Sequence, residues 1–270
     1  MTTHRRALSA PKGIAVLATV CGVLVVLPLA SLVVRVPWRS FWSTLSSDAS
    51  QTALWLSLRT SLITTLLAIF TGLPLAWVLA HVRFRFKTVI RAACVLPMVL
   101  PPVVGGVALL YAFGRRGVVG SSLDDWFGIR IAFTQSAAVL AQYFVAVPFF
   151  VVVMESAFQQ ADPRVSDAAR TLGAGPWRTL LRVVLPSMKP AIVAAIALTW
   201  ARALGEFGAT ISFAGNSPGR TQTLPLAIYS SLEAGNNEAL TLSFIMMFVS
   251  FTVLVLLRHR WLGALRRGGA

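Results

Sequence analysis

Apolar residues recur along this chain in runs longer than the core helices of a soluble domain require. Six runs stand out, at about 13–34, 52–80, 89–113, 132–156, 187–211 and 239–257. Each approaches or exceeds the roughly 20 residues that a helix needs to cross a hydrocarbon core. The pattern predicts an all-α, polytopic membrane protein: one transmembrane domain over residues 1–270 with six transmembrane helices. The first run follows His4, Arg5, Arg6 and Lys12, as in a signal peptide. It exceeds the 7–15 residues or so of a secretory apolar region, so an uncleaved first span is expected.

Two polar stretches interrupt the runs at length. In 212–238, Asn216-Ser217-Pro218-Gly219 is a turn signal, and Leu224, Ile228 and Leu232 have the i, i+4, i+8 spacing of a short amphipathic helix. The loop 157–186 carries the stronger pattern. Asp162 can cap a helix, Pro163 suits its first turn and Gly173 its stop, which predicts a helix over 161–173. Asp167 is expected near the helix start, where the dipole favours a negative charge. Ala168 and Ala169 are small enough for another backbone to approach. Gly175 and Pro176 then break the chain, and Val183-Val184-Leu185-Pro186 leads into the fifth run. By residues alone, this is either a docking helix or a surface helix without a partner.

Charge orients the spans. Sixteen Lys and Arg fall on one side of the six-span scheme and six on the other, with Arg59 and Arg202 inside spans. The positive-inside rule places the richer side in the cytoplasm, with both termini and the loop 157–186. The net charge of +15 is thereby read as topology rather than as a nucleic-acid surface. Cys21 and Cys94 lie in apolar runs without a CxxC spacing, and His4, His81 and His259 share no ligand spacing, so no metal site is expected.

The spacing Asp167-Ala168-Ala169, Gly173, Leu185-Pro186 resembles the coupling-loop motif of ABC importer permeases: Glu-Ala-Ala, three residues, Gly, nine residues, Ile-x-Leu-Pro. Asp167 stands where the motif has Glu and reaches one methylene less far; Val183 stands for Ile. The resemblance implies the fold of type I ABC importer permeases, with the helix around Asp167 seated on a separate cytoplasmic ATPase subunit. It implies a homodimer in the cell membrane, a transport path between two copies, and an extracytoplasmic binding protein. No Gly-Lys pair occurs anywhere in the chain, so the phosphate-cradling Gly-x-x-x-x-Gly-Lys-Ser/Thr loop is missing. ATP is accordingly expected on the partner subunit, with no cofactor and no catalysis on this chain.

Two segments bear on the cargo. Leu96-Pro97-Met98-Val99-Leu100-Pro101-Pro102-Val103-Val104-Gly105-Gly106 sets helix breakers inside the third run. Such residues mark either a packing kink or a transport path at membrane depth. Arg202 and Glu206, four apart, share one helix face inside the fifth run. They form either a pair that packs the bundle or part of a path or gate. Gly205-Glu206-Phe207-Gly208-Ala209 and the following Gly215-Asn216-x-Pro218-Gly219-Arg220-Thr221-Gln222-Thr223 are similar to the permeases of tetrahedral-oxyanion importers. Those for molybdate are closest; those for sulfate and tungstate share much of the pattern. The candidate residues are thus Asp167, Ala168, Ala169, Gly173, Leu185 and Pro186 for coupling, and Arg202, Glu206, Pro101 and Gly105 for the path. A secondary transporter working alone is the competing class. It calls for coupling carboxylates deep in the spans, where only Glu206 stands, Glu155 lying near a span end.

Overall fold

A computed structural model describes residues 11–267; His4, Arg5 and Arg6 of the N-terminal basic group lie outside them. Every regular element in the described residues is helical. In chain order they are α1 (Lys12–Arg35), α2 (Phe41–Leu45), α3 (Asp48–His81), α4 (Lys87–Val99), α5 (Pro102–Phe113), α6 (Gly120–Phe127) and α7 (Gln135–Gln160). Then come α8 (Pro163–Thr171), α9 (Pro176–Thr179), a π-helical turn (Leu180–Val184) and α10 (Leu185–Ser187). The last described elements are α11 (Lys189–Leu204), α12 (Gly208–Ala214), α13 (Leu224–Glu233) and α14 (Glu238–Arg267).

The centre is the pair α3 and α7. Thr64, Ala68, Gly72 and Ala76 repeat every four residues on α3 and are all buried. Ala138, Gln142, Ala146, Phe150, Met154 and Phe158 do the same on α7. Small residues at this spacing let membrane helices approach closely, where dispersion rather than water exclusion drives packing. The approach at Gly72 is tight: a Cβ there would lie 2.9 Å from Cδ1 of Phe150. Polar side chains add hydrogen bonds. Gln142 Nε2 donates to Thr60 Oγ1 at 3.1 Å, and Thr64 Oγ1 donates to the Val139 carbonyl at 3.1 Å. The Leu224 N–H, at the start of α13, donates to Ser57 Oγ at 2.6 Å and ties that helix to α3.

The all-α membrane fold is as expected, although six spans are not seen as six single helices. Among the described residues, three helices are long and apolar enough to cross a membrane: α1, α3 and α7. A fourth candidate is a bent pair, Pro176–Ser187 and Lys189–Leu204, meeting at 77°. The run at 89–113 is two helices, because Leu100 and Pro101 are extended between α4 and α5. Pro101 and Pro102 are the cause: the residue before a proline is driven out of the helical region. The run at 187–211 is also divided, by Gly205–Phe207 between α11 and α12. The sixth run is longer than expected, since α14 starts at Glu238 and continues to Arg267.

The short helices α2 and α6 have no counterpart among the expected elements. At α6, the Asp124 carboxylate accepts from Arg130 Nε at 2.9 Å and Arg115 Nε at 3.1 Å. The Arg130 hydrogen bond is the main cause holding this carboxyl below its usual value. The amphipathic helix expected around Leu224, Ile228 and Leu232 is present as α13. Helix α1 is apolar all round, and none of its most apolar stretch is buried by the described residues. Such a helix is stable against lipid or another subunit, not against water.

The two broken runs cross each other at glycine. A Cβ on Gly106 of α5 would fall 2.6 Å from Ser212 Cβ and 2.8 Å from the Ala209 carbonyl oxygen of α12. One on Gly208 would fall 2.8 Å from Pro102 Cβ. Backbone has no rotamer with which to yield, so Gly106→Ala must push α5 and α12 apart, at about 1–3 kcal/mol. We expect this variant to lower the midpoint of thermal unfolding in detergent. Gly22→Ala, where a Cβ meets nothing within 4 Å, is the control that should leave it unchanged.

Candidate functional site

The loop between α7 and α11 folds as its sequence demands. The Asp162 side chain accepts the Arg164 N–H at 2.9 Å, and Pro163 fills the first turn of α8. At the other end, the Gly173 N–H donates to the Arg170 carbonyl at 2.9 Å and the Ala174 N–H to the Ala169 carbonyl at 3.0 Å. With Gly173 at φ +80°, this is a Schellman stop, which an L-residue with a side chain adopts only under strain. Asp167 is not near the helix start as expected; it is the fifth of nine residues, and Asp162 takes the N-terminal position.

Helix α8 buries none of its residues and packs mainly on α9 and the π-helical turn. Asp167 and Ala168 are exposed, and Ala169 is half-buried. No cation of the described residues pairs with Asp167. Leu172 and Trp177, on either side of the glycine stop, are 88% and 75% exposed. Neither was singled out in the sequence, where each is one apolar residue among many. The geometry distinguishes them: they stand largely exposed on a polar loop. Beneath α8 is a cavity of about 560 Å³ whose wall includes Trp77 and His81 of α3, Phe158 of α7, and Asp167, Arg170 and Trp177.

From Gly175 the chain runs through α9 into the π-helical turn. Pro186 lacks the N–H that an α-helix would give to the Arg182 carbonyl. The register there is one residue wider, with the Leu185 N–H reaching the Leu180 carbonyl. Leu185 is half-buried and, with Leu180 and Val184, packs against the core of α3, α7 and Met188. At Met188 the chain turns by 77° into α11. Of the coupling candidates, Leu185 is thus held by the membrane core, Pro186 beside it is exposed, and Asp167, Ala168 and Gly173 project from the core. A bend containing the π-helical turn links the two sets.

The path candidates sit at the far end of α11, a helix of sixteen residues and so about 24 Å long. Arg202 and Glu206 do pair, Nη2 to Oε2 at 2.7 Å. Glu206 is no longer in the helix, however; it lies in the Gly205–Phe207 break and is 1% exposed. Its other oxygen, Oε1, accepts the Ala209 N–H at 2.7 Å, so the carboxylate also caps the first turn of α12. Pro101 is exposed at the α4–α5 break, beside Pro102, which touches Gly208. Gly105 is buried instead against α7, where a Cβ would meet Phe144 Cε1 at 3.0 Å. Both breaks therefore meet at one place, with a buried ion pair holding one of them.

A further ion pair joins α4 to α7. Arg91 of α4 bonds through Nε to Glu155 of α7 at 2.9 Å, and Gln159 Nε2 donates to the same carboxylate at 3.1 Å. The partners are 64 residues apart, and no local spacing signals the pair. No group of three or more metal-ligating side chains occurs among the described residues.

A broken-helix bundle with an exposed, glycine-stopped loop defines the class of protein. Residues 72–268 match the family model described as the inner membrane component of binding-protein-dependent transport systems. The chain belongs to that family. It is similar to the molybdenum transport system permease protein ModB of Mycobacterium tuberculosis, 45% identical with 86% of this chain and 88% of that protein covered. It is 38% identical to the ModB protein of Escherichia coli K12 over 82% of this chain and 96% of the relative. In fold it resembles a solved bacterial alginate ABC transporter in complex with its pentasaccharide-bound periplasmic protein. That likeness has a TM-score of 0.71, 17% identity and 91% coverage of each chain.

Proposed function

We propose that this chain is the permease subunit of an ATP-driven importer of molybdate in the cell's inner membrane. Two copies form the path, with one cytoplasmic ATPase subunit under each and an extracytoplasmic oxyanion-binding protein above. Both termini share the cytoplasmic side with α8. The observation that carries the coupling part is the loop itself: α8 buries none of its residues and is followed by exposed Leu172 and Trp177, yet the chain runs on through Leu185 and Pro186 into α11. Closure of an ATPase pair would move α8, and the bend at Met188 would carry that movement to the break held by Arg202 and Glu206. Pro101 and the crossing of α5 with α12 lie at the same break. Gly105 is a packing position on the α7 side of α5, against Phe144. The chain itself makes and breaks no covalent bond, and binds no cofactor; ATP belongs to the partner.

Molybdate is favoured over other oxyanions by the extent and identity of the molybdenum-transport relatives. The test is uptake by vesicles holding the chain, its ATPase and its binding protein, offered molybdate, tungstate and sulfate in competition. Molybdate should be taken up in preference to sulfate. A preference for sulfate would overturn the cargo and leave the transporter class standing.

A further inference from the structure

The exposed face of α3 contains Trp55, Leu62, Ile63, Leu66 and Phe70, and within this apolar stripe stands one charge, Arg59. All nine acidic residues of the chain are among the described residues, and none pairs with it. Arg59 stands 22 residues before His81, which lines the cavity beneath α8. At 1.5 Å per residue that is about 33 Å, slightly more than a hydrocarbon core. The guanidinium is therefore at headgroup depth, in the leaflet opposite the coupling loop.

A groove of about 410 Å³ runs from it between α3 and α7. Its mouth holds Arg59, Gln135 and Ser136, and its wall includes Ile63, Leu67 and Leu140. The polar end faces headgroups and the apolar wall runs toward the membrane centre. A cation on a lipid-facing stripe is costly unless it reaches an anion at the interface.

We infer that this groove binds an anionic phospholipid, with the phosphate on Arg59 and an acyl chain along Ile63, Leu67 and Leu140. Charge complementarity selects the headgroup, and the depth of Arg59 selects lipid over a soluble anion. Leu140 supplies the apolar half and has no part in the charge.

The full chain with its ATPase, in nanodiscs of equal phosphatidylglycerol and phosphatidylcholine, is examined by native mass spectrometry after release into detergent. Wild type should retain phosphatidylglycerol over phosphatidylcholine. Arg59→Gln should lower that preference about fivefold, the effect of one basic residue near a charged surface. Arg59→Lys should keep most of it, since a phosphate accepts a point charge, whereas a role confined to packing would not follow charge. Leu140→Trp, which fills the groove, should reduce retention with Arg59 unchanged. Equal preference in wild type and Arg59→Gln overturns the inference. So does displacement of the lipid by inorganic phosphate or molybdate, which would make Arg59 an oxyanion subsite. Crosslinking of Arg59→Cys to a second copy across the groove would overturn it too.

Discussion

Replacing Gly173 with valine should abolish ATP-driven uptake and leave the chain folded in the membrane. The residue is at φ +80° and closes α8 by letting the Ala174 N–H reach the Ala169 carbonyl. A Cβ there would meet nothing within 4 Å, so the effect is on the backbone and not on packing. For an L-residue this conformation costs about 1–2 kcal/mol, and a β-branched one is worse placed still. That is enough to shift a local equilibrium by about five- to thirtyfold away from the stopped loop. Leu172 and Trp177 would then lose their common presentation beside α8. Gly173→Asn is the discriminating variant, because asparagine tolerates the left-handed region. It should keep most of the uptake and ATPase binding that valine loses. Undiminished uptake by Gly173→Val would remove the loop from the coupling account.

The second large effect concerns Glu206. Replacing it with alanine strands Arg202, which is 26% exposed in its side chain, and removes the acceptor of the Ala209 N–H. Breaking one side of a buried ion pair costs about 3–5 kcal/mol, much of a membrane domain's margin. We expect a low yield of folded protein and a lower unfolding midpoint in detergent. Glu206→Gln keeps the acceptor for Ala209 and loses only the charge, so it should fold better while still impairing uptake. The double variant Arg202→Ala/Glu206→Ala should cost less than the two single changes together, because neither leaves a lone charge behind. Additive losses would show that the pair is not coupled.

Much of the loop was legible in the sequence. Asp162, Pro163 and Gly173 are short-range signals whose physics is complete within a few residues, and each has its expected place. The apolar runs likewise located the helices at 12–35, 48–81 and 135–160. The breaks were less legible. Gly205, Phe207 and Gly208 leave the fifth run apolar on average, so a hydropathy window passes over them while the helix ends at Leu204. Glu206 was read as a helical neighbour of Arg202. Its second bond, to Ala209, exists only because the helix stops. The packing of Gly106 on Ser212 and the Arg91–Glu155 pair are long-range contacts, and one chain's periodicity holds no record of them. Asp167 shows a subtler limit. A helix does lie over its motif, yet that helix begins at Pro163 and sets Asp167 in the middle.

Transport through this chain is expected to be driven by a separate ATPase engaged at α8. The direct measurement is molybdate accumulation in proteoliposomes containing the chain and its binding protein, with and without the ATPase subunit, and with ATP or an imposed ion gradient. Accumulation is expected only when the ATPase and ATP are both present. Gradient-driven accumulation by vesicles lacking the ATPase would contradict it, and would make this chain a transporter in its own right.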